Sequence, residues 1–230
     1  MIIYGKNVVI EALKAKRPIY KLMIDHKMSD ATVLKYLKDA SIQIDKVDRG
    51  HLNNITNHAV HQGIVAEVEP YQYKKIEDIT DISNGKFLIL DSIEDPHNLG
   101  AIIRSADAMG LDAIIMSQKQ QVPLNATVAK VSTGAIEYVP IVIVPQLFKG
   151  IALLKEAGVK IYGTDMKDAV SYQDASYNGS VAVILGNEGK GIRNSIKPLC
   201  DEMIMIPMKG HVQSLNVSVA AALIMQVLTQ

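Results

Sequence analysis

The stretch Phe87–Met116, FLILDSIEDPHNLGAIIRSADAMGLDAIIM, decides the fold. Phe87-Leu-Ile-Leu90 is a continuous apolar run, as a strand buried on both faces requires. A polar loop carrying Pro96 leads to Asn98, a residue type that caps helix amides. Beyond it Leu99, Ile102, Ile103, Ala106 and Met109 recur at core spacing, which predicts a helix over Asn98–Met109. Ala113–Met116 is the next apolar run and reads as a strand.

The same alternation continues toward the C-terminus. The pattern predicts a helix over Asn125–Glu137, a strand over Val139–Val144 and a helix over Leu147–Ala157 closed by Gly158. Lys160–Thr164, Val181–Leu185 and Met203–Ile206 read as strands, and Ser214–Leu228 as a long apolar closing helix. Regular strand and helix alternation implies an α/β fold, a parallel sheet with helices on both faces. In such sheets ligands sit at the carboxyl ends of the strands. Upstream, helices are predicted over Asn7–Lys16 and Asp30–Ala40, and strands over Ile19–Ile24, Ile42–Val47 and Gly63–Val68. That is a small N-terminal α/β domain over residues 1–72. Residues 73–85 are polar and end in a Ser-Asn-Gly turn signal, so they read as a linker to a second domain over 86–230.

Composition narrows the class. The chain has 230 residues, 48% hydrophobic and 21% charged, which excludes a disordered polymer. Net charge is zero, with +2 on residues 1–72 and −2 on the remainder, so whole-chain attraction to a polyanion is excluded and a local basic patch is not. One cysteine, Cys200, excludes an intrachain disulfide framework. No apolar run approaches the roughly 18 residues of a membrane span, and the opening residues lack a secretory pattern. A cytoplasmic protein without a membrane partner is expected. With no Trp and two Phe, its core must be aliphatic.

Three segments, each following a predicted strand, could carry chemistry. In the first, Arg104 lies about 140° round the helix from Leu99 and so leaves the core; a solvated Arg on a capped helix is the bland reading. In the second, Gly186, Gly189 and Gly191 follow a buried strand, and such a loop lets backbone amides approach a ligand. It matches neither a dinucleotide fingerprint nor a phosphate-binding P-loop, and a tight turn before a helix near Asn194 would also explain it. In the third, Ser214 could cap the closing helix with Asn216 in its first turn. His97 and His211 read as loop histidines, Cys200 as a buried small hydrophobe, and Asp91, Glu94 and Asp95 as solvated charges rather than a metal loop.

Taken in order, the segments resemble the three motifs of the SpoU (TrmH-like) RNA ribose methyltransferases of the SPOUT class. The matching residues are Asn98-Leu-Gly-Ala-Ile-Ile-Arg104, Leu185-Gly-Asn-Glu-Gly189, and Ile206-Pro-Met208 with Ser214-Leu-Asn-Val-Ser218; Thr133-Gly-Ala-Ile-Glu137 also fits. The opening Ile3–Leu13 resembles the substrate-binding domain of the rRNA-guanosine branch. The resemblance implies a C-terminal trefoil knot, S-adenosylmethionine as cofactor, no metal, and a homodimer completing its sites from both chains. It implies methyl transfer to a ribose 2′-hydroxyl of RNA, with a guanosine of large-subunit ribosomal RNA as the leading target. Transfer RNA, an antibiotic-resistance ribosome methylation and a non-catalytic RNA-binding assembly factor are the alternatives. Arg104 would be the central catalytic residue, with Asn98, Glu188, Ser214 and Asn216 beside it. Thr133, Gly134, Leu185, Gly186, Asn187, Ile206, Met208 and Leu215 would hold the cofactor.

Overall fold

The computed structural model describes residues 1–40, 42–187, 189 and 191–230. In chain order the first elements are β1 (Ile2–Tyr4), α1 (Lys6–Lys14), β2 (Ile19–Asp25), α2 (Ala31–Asp39), β3 (Ile44–Val47), α3 (Arg49–Ile55) and β4 (Ile64–Val68). There follow β5 (Lys86–Leu90), α4 (Pro96–Met109), β6 (Ala113–Ser117), α5 (Ala126–Val131), β7 (Ile141–Val144), α6 (Leu147–Glu156) and β8 (Lys160–Thr164). The last are β9 (Val170–Ser171), β10 (Val181–Leu185), β11 (Glu202–Met205) and α7 (Val217–Leu228). The strands β1 and β9 and the helix α3 were not foreseen; α3 buries only Leu52, so it carries little apolar periodicity.

The chain divides into two compact units. The first comprises residues 1–72 together with 124–138. Its sheet has the order β1-β4-β2-β3, with β4 antiparallel to both neighbours and β2 parallel to β3. Segment 124–138, expected with the second domain, is held here by side chains. Arg17 Nη1 meets Glu137 Oε1 at 2.9 Å with both side chains almost fully buried. Tyr71 donates its hydroxyl to the same oxygen at 3.0 Å, and its ring lies 3.5 Å beneath the Arg17 guanidinium carbon. Within the segment, the expected helix over 125–137 is α5 plus a 3-10 turn at Ala135–Glu137.

The second unit comprises 73–123 and 139–230. Its seven-stranded sheet has the order β7-β6-β5-β10-β8-β11-β9 and every recorded pairing is parallel. Central strands β5, β6 and β10 are buried almost throughout, as their continuous apolar sequences require. On α4, Leu99, Ile102, Ile103 and Ala106 have no exposed surface; each of the larger three contributes about 2 kcal/mol of burial. Helix α4 packs against α7. Residues 73–85, read as a linker, instead join this unit: Ile76 and Ile79 are buried in its core, and Lys74 donates its N–H to Ile141 O at 2.9 Å. Among the described residues no helix is long and apolar enough to cross a membrane.

Candidate functional site

A cavity of about 280 Å³ lies at the carboxyl ends of β8, β10 and β11. The end of β10 supplies Leu185, Gly186 and Asn187. The chain after β11 supplies Ile206 and Met208, and the approach to α7 supplies Ser214 and Leu215. The loop after β10 and the β11–α7 connection thus meet around one space, close to the lower limit of about 300 Å³ for small-molecule sites, while the segment 90–110 lines none of it. Its remaining walls include Thr164, Asp165, Ile192, Lys197, Gln213 and Val217.

The glycine loop is crowded where it leaves the sheet. A Cβ on Gly186 would lie 2.0 Å from the carbonyl carbon of Gly191 and 2.2 Å from the nitrogen of Ile192. Only glycine permits that approach. Gly186 is buried, and among the described residues neither its N–H nor its C=O makes a hydrogen bond. The main-chain groups of the half-buried Ile206, Met208 and Leu215 likewise make no hydrogen bond among the described residues. Unpaired buried backbone groups beside a cavity are costly unless a ligand or water meets them.

The loop is pinned to the chain after β5. Asp91, with no exposed surface, accepts from Arg193 Nε at 2.7 Å and from the Arg193 N–H at 3.0 Å. Asn187 donates from Nδ2 to Ser92 O at 3.1 Å and accepts at its own main-chain oxygen from Gly191 N–H at 2.8 Å. The acidic loop therefore divides. Asp91 is an internal anchor rather than a solvated charge. Asp95 accepts the His97 N–H at 2.8 Å and caps α4, while Glu94 is exposed. Among the described residues no three His, Cys, Asp or Glu side chains gather as a metal site.

Asn98 is not the helix cap; it lies in the first turn of α4 and is buried. Its Oδ1 accepts from Asn216 Nδ2 at 3.0 Å. Asn216, rather than Ser214, caps α7, accepting the Ser218 N–H at 2.9 Å. One hydrogen bond thus ties the starts of the two helices, and Asn216 stands between the cavity residues Leu215 and Val217. Arg104 is on the exposed face of α4 with Asp107 and Ala108. Among the described residues it has no hydrogen-bond or ion-pair partner and does not line the cavity. Glu188 lies outside the described residues.

Thr133 and Gly134 do not line the cavity and belong to the N-terminal unit. There the α-carbon of Gly134 faces the Glu11 side chain, whose Cβ would be 2.6 Å from a Cβ at 134. His97 and His211 are exposed. No helix forms at Asn194; a 3-10 turn occupies Lys197–Leu199. Cys200 packs against the sheet core, and burial pushes its thiol up to about 11.

Asp165 and Lys197 escaped the sequence reading. Lys197 Nζ donates to Asp165 Oδ2 at the cavity edge, and the Met166 and Lys167 amides donate to Oδ1. The Lys197 hydrogen bond is the largest influence holding the Asp165 carboxyl below its ordinary value. A strand-end acidic residue was a discoverable signal, because carboxylates there bind ribose hydroxyls in other open sheets.

Comparison with known proteins gives a consistent result. Residues 85–226 match the family described as "SpoU rRNA Methylase family", and residues 2–74 match "RNA 2'-O ribose methyltransferase substrate binding". YacO of Bacillus subtilis strain 168, named as a TrmH family tRNA/rRNA methyltransferase, is 41% identical, covering 97% of this chain and 92% of its own. The AdoMet-bound rRNA methyltransferase from Sinorhizobium meliloti superposes with a TM-score of 0.83 at 25% identity, covering 97% of this chain and 84% of that one. The SpoU methyltransferase AviRb from Streptomyces viridochromogenes, solved with AdoMet, gives 0.86 at 24% identity over 100% and 89%; at that identity it speaks for the fold.

Proposed function

The chain belongs to the SpoU rRNA methylase family of RNA methyltransferases, and from that premise we propose that it methylates a ribose 2′-hydroxyl of RNA using S-adenosylmethionine. The target we assign is a guanosine of large-subunit ribosomal RNA, in the cytoplasm. The observation that carries this reading is the convergence of Leu185–Asn187, Ile206, Met208 and Ser214–Leu215 on one cavity, where the main-chain groups of Gly186, Ile206, Met208 and Leu215 make no hydrogen bond among the described residues.

The residues present suit that cofactor. Main-chain N–H and C=O groups of Gly186, Ile206, Met208 and Leu215 match the donor and acceptor edge of an adenine. Leu185, Ile192 and Ile206 supply apolar walls. The Asp165 carboxylate suits hydroxyl or ammonium donors. When bound, the cofactor supplies an electrophilic methyl group on a sulfonium.

The chain's own task is the nucleophile. A ribose hydroxyl is almost wholly protonated at neutral pH and must be aligned while its proton leaves. A guanidinium is a poor base, with a pKa above about 12, so Arg104 binds the adjoining phosphate and orients the sugar oxygen. Asn98 and Asn216, already joined, fix the loop beneath it, and Ser214 and Glu188 complete the set. Because Arg104 is exposed on α4, a second copy of the chain brings it to the cavity, in a homodimer that also covers the half-exposed Val219 of α7. A C-terminal trefoil knot belongs to this reading.

The deciding experiment incubates the protein with methyl-labelled S-adenosylmethionine and unmodified ribosomal and transfer RNA pools. Label on a guanosine 2′-oxygen of large-subunit RNA is expected. Label in transfer RNA alone overturns the target, and label on a base, or none, overturns the reaction.

A further inference from the structure

The N-terminal unit holds a second cavity, of about 490 Å³, between the end of β2, the start of α3 and the turn before β4. It is larger than the space at the strand ends and shares no residue with it. Its lining is charged but balanced: Lys6, Lys27 and Arg49 face Asp25, Asp30 and Asp48. Among the described residues these carboxylates do not gather as a metal site.

Asp25 sets the chemistry. Its side chain is only 8% exposed. Oδ1 accepts the Lys27 N–H at 3.0 Å. Oδ2 accepts no hydrogen bond among the described residues; its nearest cation is Arg49 Nη1 at 3.8 Å, while His26 Nδ1 stands 3.9 Å from Oδ1. Among the described residues no sealed-off side-chain oxygen lacks a partner, so Oδ2 is reached from the cavity. The floor beside it is open because residue 63 is glycine, with φ +80°; a Cβ there would lie 3.0 Å from the Met28 methyl and 3.4 Å from Asp25 Cβ. Asp30 is already engaged by Lys6 at 2.7 Å, and Asp48 stands exposed to solvent at the rim. Asp25 is thus the acceptor left for a guest.

A phosphate would be repelled from this floor. A nucleobase would not, provided it offers two adjacent donors to match a carboxylate's two oxygens. Among the four RNA bases only guanine does so, through N1–H and the 2-amino group. The rim suits the remainder of such a guest: His26 and Arg49 carry planar groups on which a splayed base can stack, and Arg49 and Lys27 can meet its phosphate. We propose that this pocket captures an unstacked guanine of the RNA substrate, at a nucleotide distinct from the one methylated. The proposal rests on the reading that the N-terminal unit binds RNA.

The test titrates the full-length ¹⁵N-labelled protein with the 5′-monophosphates of guanosine, inosine and adenosine. Guanosine monophosphate should shift the amides of residues 25–30, 48–50 and 63 saturably. Inosine monophosphate, lacking the 2-amino group, should bind about tenfold more weakly, the scale of one charge-assisted hydrogen bond. Adenosine monophosphate should leave these amides in place. Asp25→Asn should abolish the guanine preference while amides elsewhere stay superimposed. Equal responses to guanosine and adenosine, shifts confined to other regions, or no shift at millimolar nucleotide overturn the proposal; this wild-type arm needs no variant to fold. Binding to unmodified large-subunit RNA separates the two readings. Failure of the wild type to bind RNA removes the RNA reading, and equal binding by wild type and Asp25→Asn removes the pocket alone.

Discussion

Asp91 and Arg193, 102 residues apart, are joined by an Nε–carboxylate contact of 2.7 Å, with Asp91 wholly inside the protein. The pair fastens the end of the glycine loop to the end of β5. Asn187, Gly191 and Ile192, between those fixed points, form part of the cavity wall.

Asp91→Ala should therefore cost about 2–3 kcal/mol, since it strands the Arg193 amide that now donates to Oδ2. The Arg193 side chain is 40% exposed and can turn to water, which keeps the cost from being larger. Urea unfolding measures the loss, and an unchanged midpoint would refute the anchor.

Arg104→Ala should leave stability within about 0.5 kcal/mol, because the side chain is exposed and has no partner among the described residues. Methyl transfer should fall to background while calorimetric binding of S-adenosylmethionine persists. Surviving turnover would remove Arg104 from the reaction.

Gly186→Ala should destabilise the chain by at least about 3 kcal/mol and abolish cofactor binding, because the added methyl would overlap the main chain at 191–192. Here no flexible side chain can give way. A variant of native melting temperature would show that the crowding is relieved without cost.

Glu137→Ala should cost about 3–4 kcal/mol by leaving the buried Arg17 without its carboxylate and Tyr71 without its acceptor. Glu137→Gln, which keeps an acceptor, should recover part of that loss. The comparison is made by chemical denaturation, and equal stabilities for the two variants would contradict a charge-based role.

The Asp165–Lys197 pair sets a pH dependence whose sign follows from the shift. The Asp165 carboxyl is held below its reference value of 3.8, so its contribution is complete above that value and fades as pH falls through the lower, folded one. Melting temperatures of wild type and Asp165→Asn should differ by a constant amount from about pH 5 to 8 and converge as pH falls through the lowered, folded value. A difference that grows on acidification would reverse the assignment.

Much of the sheet was readable in advance. Lys160–Thr164 and Val181–Leu185 have the bounds their apolar runs predict, and β5 and α4 differ by a residue or two at their ends. These elements announce themselves because burial on both faces, or on one helical stripe, leaves a local pattern. The caps were less legible. Asp95 and Asn98 are both good capping residues three positions apart, and Pro96 at the first helical position favours the earlier one. Helix α7 likewise starts from Asn216 where Ser214 was equally eligible.

The sequence alone determined the alternation of strand and helix, the aliphatic core and the three loops that carry the family's motifs. It took the folded chain to show that residues 124–138 join the N-terminal unit, that Asp91 is an internal anchor, and that Asp165 and Lys197 stand at the cavity. Each of these rests on a polar pair separated by tens of residues or more, Arg17 with Glu137, Asp91 with Arg193, Lys197 with Asp165. Apolar periodicity is a property of neighbouring residues and can be read along the chain. The partner of a buried charge is set by where distant segments meet, and no local pattern records it.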